Sequence, residues 1–172
     1  MLFRSLGASY ESNAGDARNY GFEGTGAFAV TPDLTLQATL TYLNAALSED
    51  YASIGHATIP KGTVLPGAAR WNVTSTVAYR WRKLPFEPTL RLSQRYISQS
   101  PSQLGPGTVQ GDYALIDTSV SLDVSKNVLV ALFVHNVGDV RGVTLATNGS
   151  AGAFQQYITE PRTVGITFDF RM

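Results

Sequence analysis

The sequence predicts an all-β chain, an antiparallel meander of about eight long strands that forms a segment of, or a small, transmembrane β-barrel. Three observations predict it. Apolar and polar residues alternate with period two along most of the 172 residues, and helical period is nearly absent. Connections between the alternating stretches are short and long in turn. Aromatic residues stand at the ends of the stretches.

The strands follow in order. Leu2 to Tyr10 reads as a frayed first strand. Arg18 to Val30 keeps Tyr20, Phe22, Phe28 and Val30 on one face, with glycines between them. From Leu34, the residues Leu34, Leu36, Ala38, Leu40 and Tyr42 alternate with Thr35, Gln37, Thr39 and Thr41. From Trp71, Val73, Ser75, Val77, Tyr79 and Trp81 alternate with Asn72, Thr74, Thr76, Ala78 and Arg80. After Pro88, Leu90, Leu92, Gln94 and Tyr96 oppose Thr89, Arg91, Ser93 and Arg95. After Ala114, Ile116, Thr118, Val120 and Leu122 oppose Leu115, Asp117, Ser119, Ser121 and Asp123. Val128 to Val137 is apolar on both faces until His135 and Asn136. Val164, Ile166, Phe168 and Phe170 close the series against Thr163, Gly165, Thr167 and Asp169.

Short turns are expected at Thr31-Pro32-Asp33, Arg82-Lys83-Leu84-Pro85 and Ser125-Lys126-Asn127. Long connections rich in Gly, Pro and Ser occupy Ser48 to Ala69, Gln99 to Gly111 and Gly138 to Gln156. A meander places successive turns at opposite ends, so the long connections gather on one side. A soluble sandwich has no reason to sort loop length by end; a membrane barrel with short inner turns and long outer loops does. The strands run about 10–13 residues, enough for a tilted membrane strand. Ten residues at roughly 3.3 Å, tilted about 45°, set Trp71 about 23 Å from Trp81 along the membrane normal, close to the roughly 25 Å apolar band of such barrels.

Composition removes several functions. Charged residues are 15%, while 17 Thr, 14 Ser and 16 Gly fill the polar positions. Lys+Arg and Asp+Glu are 13 each, which excludes a nucleic-acid binder working by bulk electrostatics. Without cysteine there is no disulfide, cysteine-ligated zinc or thiol nucleophile. The best uncharged run for a membrane helix, Leu34 to Ser48, is too short and carries three Thr, a Gln and an Asn. The opening MLFRSLGASYES lacks the apolar segment and cleavage site of a signal peptide.

Taken in order, several segments resemble the carboxy-terminal β-barrel of TonB-dependent outer-membrane receptors. They are Asn13-Ala14-Gly15 with Tyr20-Gly21-Phe22-Glu23, Thr41-Tyr42-Leu43-Asn44-Ala45 and Leu65-Pro66-Gly67-Ala68. Gly111-Asp112-Tyr113-Ala114-Leu115-Ile116-Asp117, Val134-His135-Asn136-Val137-Gly138-Asp139 and Glu160-Pro161-Arg162-Thr163-Val164-Gly165 complete the series. The resemblance covers nearly the whole chain. It implies residence in the outer membrane of a Gram-negative bacterium, with outer-membrane lipid and the barrel assembly machinery as partners. It further implies that residues 1–172 are the last eight or so of about 22 strands, without a plug domain or signal peptide. The remainder of the receptor would then be a partner. The whole receptor would take up a scarce ligand such as a siderophore complex or saccharide, and this segment alone would not transport.

No enzymatic activity is expected, and no catalytic, cofactor-binding or metal-binding residue is assigned. Gly24-Thr25-Gly26-Ala27-Phe28-Ala29 matches a dinucleotide fingerprint, but it lies in a strand with no helix after it. His56 and His135 are the only histidines, and neither has a carboxylate cluster nearby in sequence. The sequons Asn72-Val73-Thr74 and Asn148-Gly149-Ser150 are incidental in a bacterial barrel. Glu23, Arg80, Arg91, Arg95, Asp117, Asp123 and Asp169 fall on polar faces and read as interior charge, solvated or mutually paired. Arg91 and Arg95, two pleats apart, are the pair suited to an anionic group, although the ligand itself stays unknown. Two other readings remain open: a small independent eight-stranded barrel with a structural or binding role, and a soluble β-barrel or sandwich.

Overall fold

The computed structural model describes residues 15–52, 57–105, 107–148 and 154–170. The expected strand Leu2 to Tyr10, His56 and part of the Asn148 sequon lie outside them. Seven long strands form one antiparallel sheet: β1 (Ala17–Ala29), β2 (Leu34–Leu47), β3 (Trp71–Arg80), β4 (Thr89–Ile97), β7 (Tyr113–Ser125), β8 (Val128–His135) and β11 (Thr163–Phe170). Their spatial order follows the chain. Among the described residues no helix crosses a membrane, which says nothing of strands.

Four short strands lie within the long connections. β5 (Ser100–Pro101) pairs with β6 (Val109–Gln110), and β9 (Val143–Asn148) pairs with β10 (Phe154–Ile158). The stretch expected to be plain loop after Gly138 therefore contains a hairpin.

Register carries the period-two pattern straight across the sheet. One row runs Leu36, Val77, Leu92, Thr118, Val134, Val164, and the next runs Leu34, Tyr79, Leu90, Val120, Leu132, Ile166. The opposite face is polar, with Gln37, Thr76, Ser93 and Asp117 in one row. There the Thr76 and Ser93 hydroxyls meet at 3.1 Å and those of Thr25 and Thr39 at 3.2 Å. Glycine is required at Gly21, because a Cβ there would run into the backbone carbonyl of Tyr42 on the neighbouring strand.

Among the described residues no further layer covers the apolar face. Leu132 is 58% exposed and Ile166 53%, and no large side chain among the described residues is fully buried. A soluble sheet would bury this face against a second layer. Aromatic residues bracket it. Phe22, Tyr42 and Trp71 cluster at one end, with ring centroids 4.7–6.1 Å apart, and Tyr79 meets Trp81 edge-on at 4.8 Å at the other.

The short connections, 30–33, 81–88 and 126–127, share one end of the sheet. Charges tie them together: Arg80 pairs with Glu87 and with Asp123, both at 2.9 Å, and Arg82 pairs with Asp33 at 2.9 Å. The long connections, 48–70, 98–112 and 136–162, share the other end.

Candidate functional site

At that second end the three long connections bond to one another. The Gly67 N–H donates to Pro101 O at 2.9 Å, and the Gly111 N–H donates to Val143 O at 2.8 Å. Gln110 Oε1 accepts the Ala146 N–H at 3.2 Å. Beneath these links lie the buried apolar residues of the described chain, Ala45, Leu47, Ala68, Ala69 and Ala146, with Ser100. Small side chains suit this place because three backbones approach closely. The long connections thus form one apron over the sheet end.

Asn136 and Asp139 anchor the last part of that apron. Asn136 is buried, and its φ of 50° suits asparagine better than most residues. Its Nδ2 donates to Val140 O at 3.0 Å and to Glu160 O at 2.7 Å, while its Oδ1 accepts the Val140 N–H at 2.9 Å. Its own N–H donates to Asp117 Oδ1 at 2.8 Å. Asp139 Oδ1 accepts the Arg162 N–H at 2.9 Å, and Asp139 also pairs with Arg141 at 3.3 Å. The Arg162 amide chiefly, helped by the Arg141 hydrogen bond and charge, holds the Asp139 carboxyl below the usual carboxylate range. The segments Val134 to Asp139 and Glu160 to Gly165, far apart in sequence, therefore meet. They close the base of the 136–162 connection while the β9–β10 hairpin projects from it.

Beside this knot, on the polar face, lies a cleft of about 470 Å³ lined by β4, β7, β8 and the β10–β11 connection. Arg95, Tyr113, Asp117, His135, Thr144 and Glu160 supply its polar groups. His135 Nδ1 stands 3.7 Å from Asp117 Oδ1, and the imidazole packs on Phe133 at 4.7 Å between centroids. Arg95 makes no ion pair with any described residue. A smaller cleft of about 220 Å³ adjoins it, sharing Tyr113 and Thr144.

The structure sorts the interior charges named from sequence. Arg80 and Asp123 pair at the short-turn end, and Asp117 joins His135 and Asn136 at the apron end. Of the two arginines suited to an anion, only Arg95 lines the cleft. Arg91 stands four residues away, roughly 13 Å along the strand. Asn136, Thr159 and Glu160 carry the site's architecture; from sequence Asn136 and Glu160 stood only as members of the two motifs, and Thr159 was not named. Their signal was the order of the two motifs, whose meeting no local pattern discloses. Among the described residues no three His, Asp or Glu side chains gather to hold a metal ion. A cleft with one guanidinium unpaired among the described residues, a histidine, two carboxylates and several hydroxyl groups is equipped to hold a polar ligand.

An uncovered apolar face between aromatic girdles, with long loops at one end and short turns at the other, defines a wall of a transmembrane barrel. The family model for the TonB dependent receptor-like β-barrel matches residues 3–137, and the chain belongs to that family. TonB-dependent receptors are outer-membrane proteins of Gram-negative bacteria. The ferric yersiniabactin uptake receptor FyuA from Yersinia pestis superposes with a TM-score of 0.76 at 20% identity, covering 92% of this chain and 24% of its own. The siderophore receptor PiuA from Acinetobacter baumannii gives 0.73 at 19% identity, covering 90% and 22%. The copper transporter OprC gives 0.67 at 17% identity, covering 90% and 24%. This chain thus spans about a quarter of the length of these receptors. No curated protein matches the sequence significantly.

Proposed function

We propose that this chain is part of the barrel wall of an outer-membrane uptake receptor, residues 1–172 supplying its last eight or so strands. Its apolar face meets lipid, and its apron faces the cell exterior. The cleft beside Arg95 and His135 contributes to the ligand-facing interior. The whole receptor takes up a scarce polar ligand, a siderophore-like metal chelate being the class suggested by the structural neighbours. The barrel assembly machinery inserts the wall, and the rest of the receptor, plug included, completes it. The wall itself catalyses nothing.

One observation supports this reading above the others. Among the described residues the outer edges of β1 and β11 have no strand partner in the sheet. Lipid does not tolerate open edges, so a wall in a membrane needs further strands to close it. A small independent barrel would instead pair its first and last strands.

The test is growth of a receptor-deleted strain on a ferric chelate as sole iron source. Residues 1–172 alone are expected to restore none, whereas the complete receptor carrying them restores it. Growth with the segment alone would overturn the wall reading. Failure of the complete receptor on every ferric chelate tried would overturn the ligand class.

A further inference from the structure

We propose that the outward-facing cleft between Arg18 and Lys61 binds the phosphate group of an outer-leaflet lipid headgroup. This rests on the reading that the apolar face meets lipid. The side chains of Arg18, Tyr20 and Phe22 share one face of β1. Their partners Ala46, Asn44 and Tyr42 share the same face of β2. Phe22 and Tyr42 belong to the aromatic cluster that marks the membrane boundary. Arg18 lies four residues beyond Phe22 toward the apron, roughly 13 Å along the strand and about 9 Å along the normal at 45° tilt. The polar headgroup zone occupies about 5–8 Å of each leaflet, so the Arg18 backbone stands at its outer edge and the long side chain reaches back to the level of the phosphates.

The cleft there has a volume of about 210 Å³ and is lined by Arg18, Tyr20, Asn44, Ala46, Leu47, Ser48 and Lys61. Among the described residues no carboxylate lines it. Two nearby acids are turned to backbone amides: Glu49 Oε1 accepts the Asp16 N–H at 3.2 Å, and Asp50 Oδ1 accepts the Lys61 N–H at 2.7 Å. The second bond fixes the Lys61 backbone beside the strands. Neither Arg18 nor Lys61 forms an ion pair with a described residue.

The neutral groups add donors. Asn44 Nδ2 donates to Tyr20 Oη at 2.9 Å, which leaves the tyrosine proton for another acceptor. The set is therefore one guanidinium, one ammonium and two hydroxyls around an acceptor-poor space. A planar guanidinium grips two phosphate oxygens, and an ammonium contributes a point charge beside it. Two such cations near a lipid surface together favour an anionic headgroup about thirty-fold.

The protein, extracted from membranes in mild detergent and stripped of lipid, would be titrated with three probes and scored by native mass spectrometry. The probes are bisphosphorylated lipid A, the same lipid without phosphates, and inorganic phosphate. The bisphosphorylated lipid is expected to be retained, the other two at least ten-fold less. The double variant Arg18→Ala/Lys61→Ala should lose ten-fold or more, while Arg18→Lys/Lys61→Arg should keep most of the binding. Equal retention of the phosphate-free lipid, or undiminished binding by the alanine pair, would overturn the proposal. Inorganic phosphate binding as tightly as the lipid would make the source a free anion and overturn the lipid assignment. A protein that never partitions into membranes would sink both this site and the wall reading beneath it.

Discussion

Replacing Asn136 with alanine tests the knot that closes the 136–162 connection. The substitution removes three side-chain hydrogen bonds, two to carbonyls of Val140 and Glu160 and one from the Val140 amide. At about 1 kcal/mol net for each, the bonds account for about 3 kcal/mol. Alanine at a φ of 50° adds about 1 kcal/mol of backbone cost. The expected loss is therefore about 3–4 kcal/mol, large for one residue. Asn136→Asp keeps the positive φ and the acceptor for the Val140 amide, but it sets a carboxylate against two carbonyl oxygens. It should lose about as much at neutral pH and recover partly in acid, where a protonated carboxyl can donate once more. Urea titration of the protein folded in lipid vesicles, followed by tryptophan fluorescence, measures both. A loss below about 1 kcal/mol for Asn136→Ala would show that the bonds are replaced by water and that the two motifs meet without holding the wall.

Further outcomes are expected elsewhere. Val77 lies midway between the girdles on the apolar face and Thr76 on the polar face, so Val77→Arg should cost about 2–4 kcal/mol in lipid and Thr76→Arg much less; equal costs would refute the assignment of faces. Trypsin added to intact cells should cut at Arg141 in the apron, and cutting at Arg82 or Lys83 instead would invert the topology. The Asp139 carboxyl is held low in the folded protein, so its contribution is complete above the ordinary carboxylate value near 4 and is lost as pH falls through the lowered one. Asp139→Asn should flatten that acid-side loss, and an unchanged acid limb would exclude Asp139 from it.

The long strands were legible because one face of each meets an apolar surrounding and the other a polar one, which writes period two into the residues. Register then follows, since a one-residue slip would put Leu36, Val77 and Leu92 on the polar face. Loop length disclosed the two ends. The β9–β10 hairpin was not legible: its partners Ala146 and Gln156 carry little alternation, and links to Gln110 and Thr159 help hold it in place. The cleft was only half legible. Asp117, His135 and Arg95 were visible as polar-face residues, yet nothing local says that Glu160 folds back beside them. Asn136 stands in the sequence only as a polar break near the end of Val128 to Val137 and as one member of a motif, until the Glu160 carbonyl arrives from 24 residues away.

Whether the apolar face touches lipid is measured most directly through the protein's two tryptophans, Trp71 and Trp81. Trp71 opens β3 and Trp81 follows its last residue, and they are 38% and 36% exposed. In vesicles of lipids brominated near the carbonyl end of the acyl chain, fluorescence should be strongly quenched. With bromine near the terminal methyl the quenching should be weaker, because both rings lie near the interfaces rather than at the midplane. Fluorescence unchanged by either brominated lipid would place this face against protein or water and contradict the membrane assignment.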